Sequence, residues 1–157
     1  MPYRHGLQSS RFELKYIIDE DCALGIRNFV SSHLELDSHC RPDLENAYPI
    51  ASLYLDTSDL FLYRQTCQGI KNRFKLRIRF YDDHADSPAF LEIKRRITDV
   101  ICKERAMVSR EGVRRVLRGA GPDLSYLMDE NDHAKSGSAL QNFCRLCDQI
   151  GALPQVY

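Results

Sequence analysis

Cationic residues recur at every second position in four short runs of this chain. The runs are Arg11-Phe-Glu-Leu-Lys15, Lys75-Leu-Arg-Ile-Arg79, Glu92-Ile-Lys-Arg-Arg96 and Lys103-Glu-Arg105. Successive side chains of a β-strand point to opposite faces, so a period of two places these cations on one face. The runs therefore predict a sheet with one cationic face and one apolar face.

The predicted cationic face holds far more positive than negative charge. It carries Arg11, Lys15, Lys75, Arg77, Arg79, Lys94, Arg96, Lys103 and Arg105, opposed by Glu13 and Glu92. The whole chain has 22 basic and 22 acidic residues, so its cations are concentrated here. Like charges on neighbouring strands are destabilising, which favours a bound multivalent anion. The alternative is a set of ordinary half-buried strands whose charged side is solvated.

Length and composition predict one globular domain in a reducing compartment. A chain of 157 residues suits a single domain, with residues 1–9 as a flexible tail and residues 10–157 as the domain. The sequence has no apolar run of about 20 residues and no secretory signal, so we expect a cytoplasmic protein. Six cysteines are then expected to be reduced. The spacing of Cys144 and Cys147 favours two thiols packed on one face of a helix over half of a zinc site.

Apolar spacing and turn residues predict about five mostly antiparallel strands with helices inserted between them. The predicted strands cover 10–18, 49–55, 72–81, 89–96 and 99–108, and another begins near the end of the chain. The predicted helices cover 19–34, a short segment closing before Gly69, 109–118 and 138–150. This order is typical of an α+β fold. A sheet with these strands alone has open edges, so we expect self-association that covers them.

Four segments, in this order and spacing, resemble the VTC domain. They are Arg11-Phe-Glu-Leu-Lys-Tyr16, Ser52-Leu-Tyr-Leu-Asp-Thr57, Lys75-Leu-Arg-Ile-Arg-Phe-Tyr81 and Leu91-Glu-Ile-Lys94. This domain is the catalytic module of vacuolar transporter chaperone polyphosphate polymerases, and it belongs with the CYTH group among the triphosphate tunnel metalloenzymes. The resemblance implies a closed antiparallel β-barrel with inserted helices and a tunnel lined by Lys and Arg. It also implies that the chain is the N-terminal portion of such a domain, with later strands missing.

The resemblance implies particular site residues. The implied phosphate ligands are Lys15, Arg64, Lys75, Arg77, Arg79, Lys94 and Lys103. Arg77, Arg79 and Lys94 would also be catalytic. Glu92 and Glu13 would assist a divalent Mn or Mg ion, whose main ligand is expected beyond residue 157. The CYTH group opens on a Glu-x-Glu-x-Lys strand, and Arg11 replaces its first glutamate here.

Several functions remain open from the sequence. A metal-dependent polyphosphate polymerase, a triphosphatase and a non-catalytic polyphosphate-binding or sensing module all fit the cationic face. The expected ligand is a triphosphate, a polyphosphate or a nucleotide. Single-stranded RNA binding would need aromatic residues among the cations. Phe12, Tyr16, Phe80 and Phe90 are instead assigned to the apolar face, so no nucleic-acid partner is expected.

Overall fold

The computed structural model describes residues 10–11, 14–129 and 132–155. The chain divides into two compact units. The larger unit comprises Met1–Phe12 with Ile50–Tyr157, and the smaller comprises Glu13–Pro49. The predicted flexible tail, residues 1–9, lies outside the described residues.

The larger unit contains a six-stranded sheet in which all neighbouring strands are antiparallel. Its strands are β1 (Ser10–Arg11), β2 (Ala51–Asp56), β3 (Arg73–Phe80), β4 (Ala89–Ile97), β5 (Val100–Val108) and β6 (Leu153–Gln155). They lie in the order β1-β5-β4-β3-β2-β6. Among the described strands, β1 and β6 form the two edges, so this sheet is open. The α+β class is confirmed, whereas the closed barrel is not.

Three helices cover the apolar face of the sheet. The α-helices of the chain are α1 (Glu20–Ser31) in the smaller unit, and α2 (Phe61–Cys67), α3 (Arg110–Leu117) and α4 (His133–Ile150) in the larger one. Helices α2, α3 and α4 share one buried core with the sheet, to which they contribute Leu62, Val113 and Phe143. The opposite, cationic face is therefore left without a helix from the described part of the larger unit. No helix in the described ranges combines the length and apolar composition needed to cross a membrane.

Buried apolar pairs fix the register of β3 against β4. Leu76 lies opposite Ile93, and Ile78 lies opposite Leu91, each with 1% or less of its surface exposed. A slip of one residue would turn the cations of a strand into this core, which makes the observed register strongly preferred. Strands β4 and β5 are joined by the tight turn at Thr98 and Asp99, where Thr98 has a left-handed backbone (φ +53°). Register and turn together decide which charged residues become neighbours.

A buried carboxylate joins the end of β2 to the start of α2. Asp56 is fully buried, and its oxygens accept hydrogen bonds from the backbone N–H groups of Thr57 (2.8 Å), Leu62 (2.8 Å) and Tyr63 (2.9 Å). The first N–H groups of a helix have no partner within the helix, so this side chain satisfies donors that would otherwise be unpaired. Asp56 thereby anchors α2 on the sheet.

Several predicted elements have different bounds in the structure. Within the described part of the predicted strand 10–18, Ser10–Arg11 pair with β5, whereas residues 14–18 have no regular structure. Helix α4 begins at His133, five residues before the predicted start at Ser138. Gly137 lies inside this helix, where a Cβ atom would approach Leu124 Cδ2 to 3.1 Å. A glycine here permits close packing and does not end the helix.

The smaller unit consists of α1 and irregular backbone with one 3₁₀ turn at Pro42–Leu44. Asp19 caps α1, as predicted, because its Oδ1 accepts a 2.8 Å hydrogen bond from the N–H of Cys22. The helix ends at Ser31 and the predicted span reached residue 34.

The two cysteines of α4 are packed thiols, as predicted. Cys144 belongs to the buried core and Cys147 packs against it. Burial raises the pKa of Cys144 to about 11 and that of Cys147 to about 12. Both thiols are therefore protonated at neutral pH, which disfavours metal binding and nucleophilic reactivity.

These two thiols should be alkylated more slowly than the exposed Cys22 and Cys67. A thiol with a pKa of about 11 is only about 0.1% ionised at pH 8, so Cys144 should react at least a hundredfold more slowly than an ordinary thiol. Iodoacetamide labelling of the native protein followed by peptide mass spectrometry measures this ratio. In urea, which unfolds the protein, all cysteines should be labelled at about the same rate. Fast native labelling of Cys144 would contradict its burial.

Candidate anion-binding site

The strand register aligns the cationic residues in rows across the sheet. We define the cationic face as Lys75, Arg77, Arg79, Phe90, Glu92, Lys94, Arg96, Lys103 and Arg105. Its three central rows are Lys75–Lys94–Lys103, Arg77–Glu92–Arg105 and Arg79–Phe90–Met107, each running from β3 through β4 to β5. On the edge strand β1, the backbone register places Arg11 opposite Ile101. The alternation in the sequence therefore becomes a two-dimensional array of charge.

The lysine row places three ammonium groups on adjacent strands. Lys75 is directly opposite Lys94, and Lys94 is directly opposite Lys103. Neighbouring strands are about 4.8 Å apart, and like charges directly opposite each other destabilise a sheet. An anion that reaches all three ammonium groups would reduce the repulsion along the row. Lys103 also contacts Glu92 of the next row, with 2.9 Å between Nζ and Oε1.

Glu92 is the centre of a buried cluster of ion pairs. Its side chain is fully buried, and its Oε2 accepts a 2.6 Å hydrogen bond from Nε of Arg77. Its Oε1 lies 2.9 Å from Lys103 Nζ and 3.2 Å from Arg105 Nε. These two contacts are ion pairs, because Glu92 Oε1 has no well-aligned hydrogen-bond donor among the described residues. One carboxylate thus holds three cations together.

The ion pairs keep Glu92 charged despite its burial. Burial alone would raise the pKa of Glu92, but Lys103 and Arg77 outweigh it and leave the pKa below its ordinary value. Burial likewise opposes the charge of Arg77, yet Glu92 and Tyr54 raise its pKa. Because the pKa of Glu92 is lower in the folded than in the unfolded state, the ion pairs stabilise the fold above about pH 4.3. That contribution is lost as the pH falls through the folded-state value.

Phe90 lies on the cationic face, so its assignment to the apolar face was wrong. The guanidinium carbon of Arg105 is 3.6 Å from the centre of the Phe90 ring, and the ring of Tyr81 meets Phe90 edge-on at 5.4 Å. Position 90 has the same parity as Glu92 and Lys94, which the sequence already showed. Phe80 does pack against the core as predicted, Tyr16 is exposed, and Phe12 lies outside the described residues. One face of the Phe90 ring is covered by Arg105, so this aromatic residue is not an open surface for base stacking.

The remaining predicted site residues lie in different places. Arg79 is on the cationic face, with its Nε 3.4 Å from Ser52 Oγ. Arg64 lies on α2, where it forms an ion pair with Asp59. Lys15 is exposed in irregular backbone of the smaller unit, and Glu13 lies outside the described residues. The structure therefore brings together Lys75, Arg77, Arg79, Lys94 and Lys103, with Glu92 among them, and places Arg64 on a helix at the apolar face.

The surroundings of Glu92 do not fit a divalent cation. Both of its oxygens contact cationic groups, so a metal ion would have to displace Arg77 or Lys103. Divalent Mg or Mn needs several oxygen ligands, usually more than one carboxylate. The described part of the chain contains no group of three or more His, Cys, Asp or Glu side chains suited to a metal. This geometry does not support metal binding by Glu92, and metal binding by Glu13 stays a prediction because Glu13 lies outside the described residues.

Residues outside the predicted set complete the site. Arg105 was counted among the cations but was not assigned a role, and Tyr81 was only part of a motif. Tyr81 accepts a 3.0 Å hydrogen bond from Nη2 of Arg105. Sequence parity alone could have placed Arg105 and Phe90 on this face. The stacking between them depends on the register of β4 against β5, which a single sequence does not give.

Comparison with known proteins supports the resemblance described above. A search against curated proteins found no match. The family model described as the VTC domain matches residues 10–154, which include every described strand except the last residue of β6. Because this match covers most of the sequence, the chain belongs to the VTC domain family.

Proposed function

We propose that the cationic face binds the phosphates of a linear polyphosphate or of a nucleoside triphosphate, as part of a polyphosphate polymerase-related domain. The lysine row carries this proposal, because Lys75, Lys94 and Lys103 lie in register on three adjacent strands, where like charges repel. A phosphate chain offers several negative oxygens along one axis and reaches more than one cation at once. Membership of the VTC family supports the same ligand class.

Arginine and lysine residues would have different roles in binding the phosphates. The Arg77 and Arg79 guanidinium groups bind phosphate through two parallel N–H groups, which fixes direction. Lys75, Lys94 and Lys103 supply point charges that tolerate movement of the chain along the row. In phosphoryl transfer the protein contributes mainly positioning and stabilisation of charge, so Arg77, Arg79 and Lys94 are the residues proposed for catalysis. Transfer to a phosphate chain would make a polymerase, and transfer to water a triphosphatase.

Closure of the sheet into a tunnel belongs to this proposal. The cations would then surround the phosphate chain, and exclusion of water would strengthen each contact. Strands β1 and β6, at the edges of the described sheet, offer unpaired backbone groups for further strands of the same barrel or for another copy of the chain. A divalent ion would further neutralise the phosphate charge. Its protein ligands would be residues other than those described around Glu92.

A second candidate is a module that binds polyphosphate without turning it over. The ion pairs of Glu92 favour it, since they use the one buried carboxylate of the cationic face for charge balance. Such a module would bind tripolyphosphate without releasing or transferring phosphate. Metal-dependent phosphate release or chain growth would instead establish the enzyme.

Calorimetric titration of tripolyphosphate, with and without Mn²⁺, tests the proposal. The variant Arg77→Ala/Arg79→Ala should weaken binding by at least about a hundredfold, since each of two charge-assisted contacts contributes about 1.5–3 kcal/mol. Arg114→Ala/Arg115→Ala is the matched control, because these exposed arginines lie on α3 and pair with Glu111. Micromolar binding by the wild type and the control alone is the expected result. Equal binding by all three proteins would reject the cationic face as the site.

A further inference from the structure

Arg105 is held by contacts with Phe90, Tyr81 and Glu92. Its guanidinium group stacks on Phe90 at 3.6 Å, its Nη2 donates to the Tyr81 hydroxyl at 3.0 Å, and its Nε lies 3.2 Å from Glu92 Oε1. Its side chain is 31% exposed, compared with 41% for Lys103. A cation that served mainly as a phosphate ligand would keep its donors free for the ligand. The Nη2 group of Arg105 donates to Tyr81, and its Nε is paired with Glu92 by charge.

The contacts of Arg105 continue through Glu92 to Arg77. Arg105 and Arg77 lie on β5 and β3, on either side of Glu92 in the same row. Glu92 accepts from Arg77 Nε at 2.6 Å, which leaves the Nη groups of Arg77 outside this ion pair. Loss of Arg105 would leave Glu92 with fewer cations and more freedom to move. The rotamer of Arg77 would then be less well determined.

We infer that Arg105 is a positioning residue of the anion site, which acts on phosphate through Glu92 and Arg77 without contacting it. The inference rests on the proposed function, and it assigns Glu92 the role of an internal counter-ion. An arginine is required at position 105, because lysine has no planar group that stacks on Phe90 while donating to Tyr81 and forming an ion pair with Glu92. Preorganised cations bind a ligand more tightly because less side-chain entropy is lost on binding.

Substitution of Glu92 gives the sharpest test. An explanation by net charge and an explanation by positioning predict opposite changes in the affinity for tripolyphosphate. If only net charge mattered, Glu92→Gln would remove a negative charge from the site and tighten tripolyphosphate binding. If Glu92 positions Arg77, the same variant weakens binding by about tenfold, the usual effect of losing an outer-shell partner. Tighter binding by a folded Glu92→Gln protein would overturn the inference.

Substitutions of Arg105 separate positioning from direct contact. Arg105→Lys and Arg105→Leu should both weaken tripolyphosphate binding by about tenfold. In the Arg77→Ala background Arg105→Leu should have almost no further effect, since residues that act through one another are not additive. A wild-type Kd for Arg105→Lys would overturn the inference, as would additive losses in the double variant. Arg114→Ala on α3 is the charge-matched control.

A measurement on the ligand-free protein tests the role of Arg105 independently of the proposed function. The Nε–Hε proton of Arg77, observed by NMR in the protein alone, should exchange with water at least about tenfold faster in Arg105→Leu than in the wild type. The backbone spectrum of the same sample shows whether the variant is folded. If wild-type protein does not bind tripolyphosphate, the proposed function fails, and Arg77 exchange still decides whether Arg105 positions it. Unchanged exchange in a folded Arg105→Leu protein would overturn the inference.

Discussion

Exchange of Lys75 and Lys94 for glutamine is expected to weaken tripolyphosphate binding by about a hundredfold. The two residues are directly opposite each other on β3 and β4, so a phosphate chain lying across the row would lose two charge-assisted contacts. Calorimetric titration at fixed salt measures the change. Lys135→Gln serves as a control on α4, where Lys135 is 61% exposed and lies 3.8 Å from Asp132. Its affinity should equal that of the wild type.

The same row predicts an opposite effect on stability. Lys75→Gln removes one of two like charges that face each other, which should raise the Tm of the ligand-free protein by about 1–3 °C. Differential scanning calorimetry without phosphate measures this gain. With saturating tripolyphosphate the order should reverse, because the wild type gains more from binding. A lower Tm in Lys75→Gln together with unchanged affinity would indicate an ordinary solvated face.

Exchange of Asp56 for alanine should have the largest effect on stability, a loss of about 3–5 kcal/mol. The carboxylate is fully buried and accepts from three backbone N–H groups, at Thr57, Leu62 and Tyr63. Each buried donor left without a partner costs about 1–3 kcal/mol. Urea unfolding monitored by circular dichroism measures the loss, and the Tm should fall by roughly 10 °C.

Two comparisons make this result specific. Asp56→Asn retains one carbonyl oxygen as an acceptor, so about half of the loss should remain. Asp123 also caps a turn, accepting from the N–H of Ser125 at 2.9 Å, but it is exposed to solvent. Asp123→Ala should therefore change stability much less. Similar losses for Asp56→Ala and Asp123→Ala would show that burial of Asp56 is not the cause.

The sequence predicted the central sheet well because its signal is local. Alternation along β3, β4 and β5 gave both the strands and the face of each cation, including Lys75, Arg77 and Lys103. Phe90 was misplaced because hydrophobicity was given more weight than parity. The structure resolves this conflict by stacking Phe90 under Arg105, which places an apolar ring on a charged face.

Features that depend on contacts distant in sequence could not be predicted in this way. The burial of Asp56 requires the α2 N-terminus to fold back over β2, and the ion pairs of Glu92 require the register of three strands. The predicted start of α4 at Ser138 was five residues late, and the close packing of Gly137 depends on Leu124, which lies outside the helix. The closed barrel came from family resemblance, and the described strands form an open sheet.

The tight turn at Thr98 and Asp99 bears on how related proteins can differ in the anions that they prefer. Thr98 keeps its left-handed backbone while its N–H donates to Asn72 Oδ1 at 2.9 Å. One residue more or less in this turn would shift β5 against β4, separating Arg105 from Glu92 and Lys103 from Lys94. The spacing of the charges is thus set by loop length as well as by the charged residues themselves. Related proteins can therefore acquire different anion preferences through insertions and deletions that never touch the ligand.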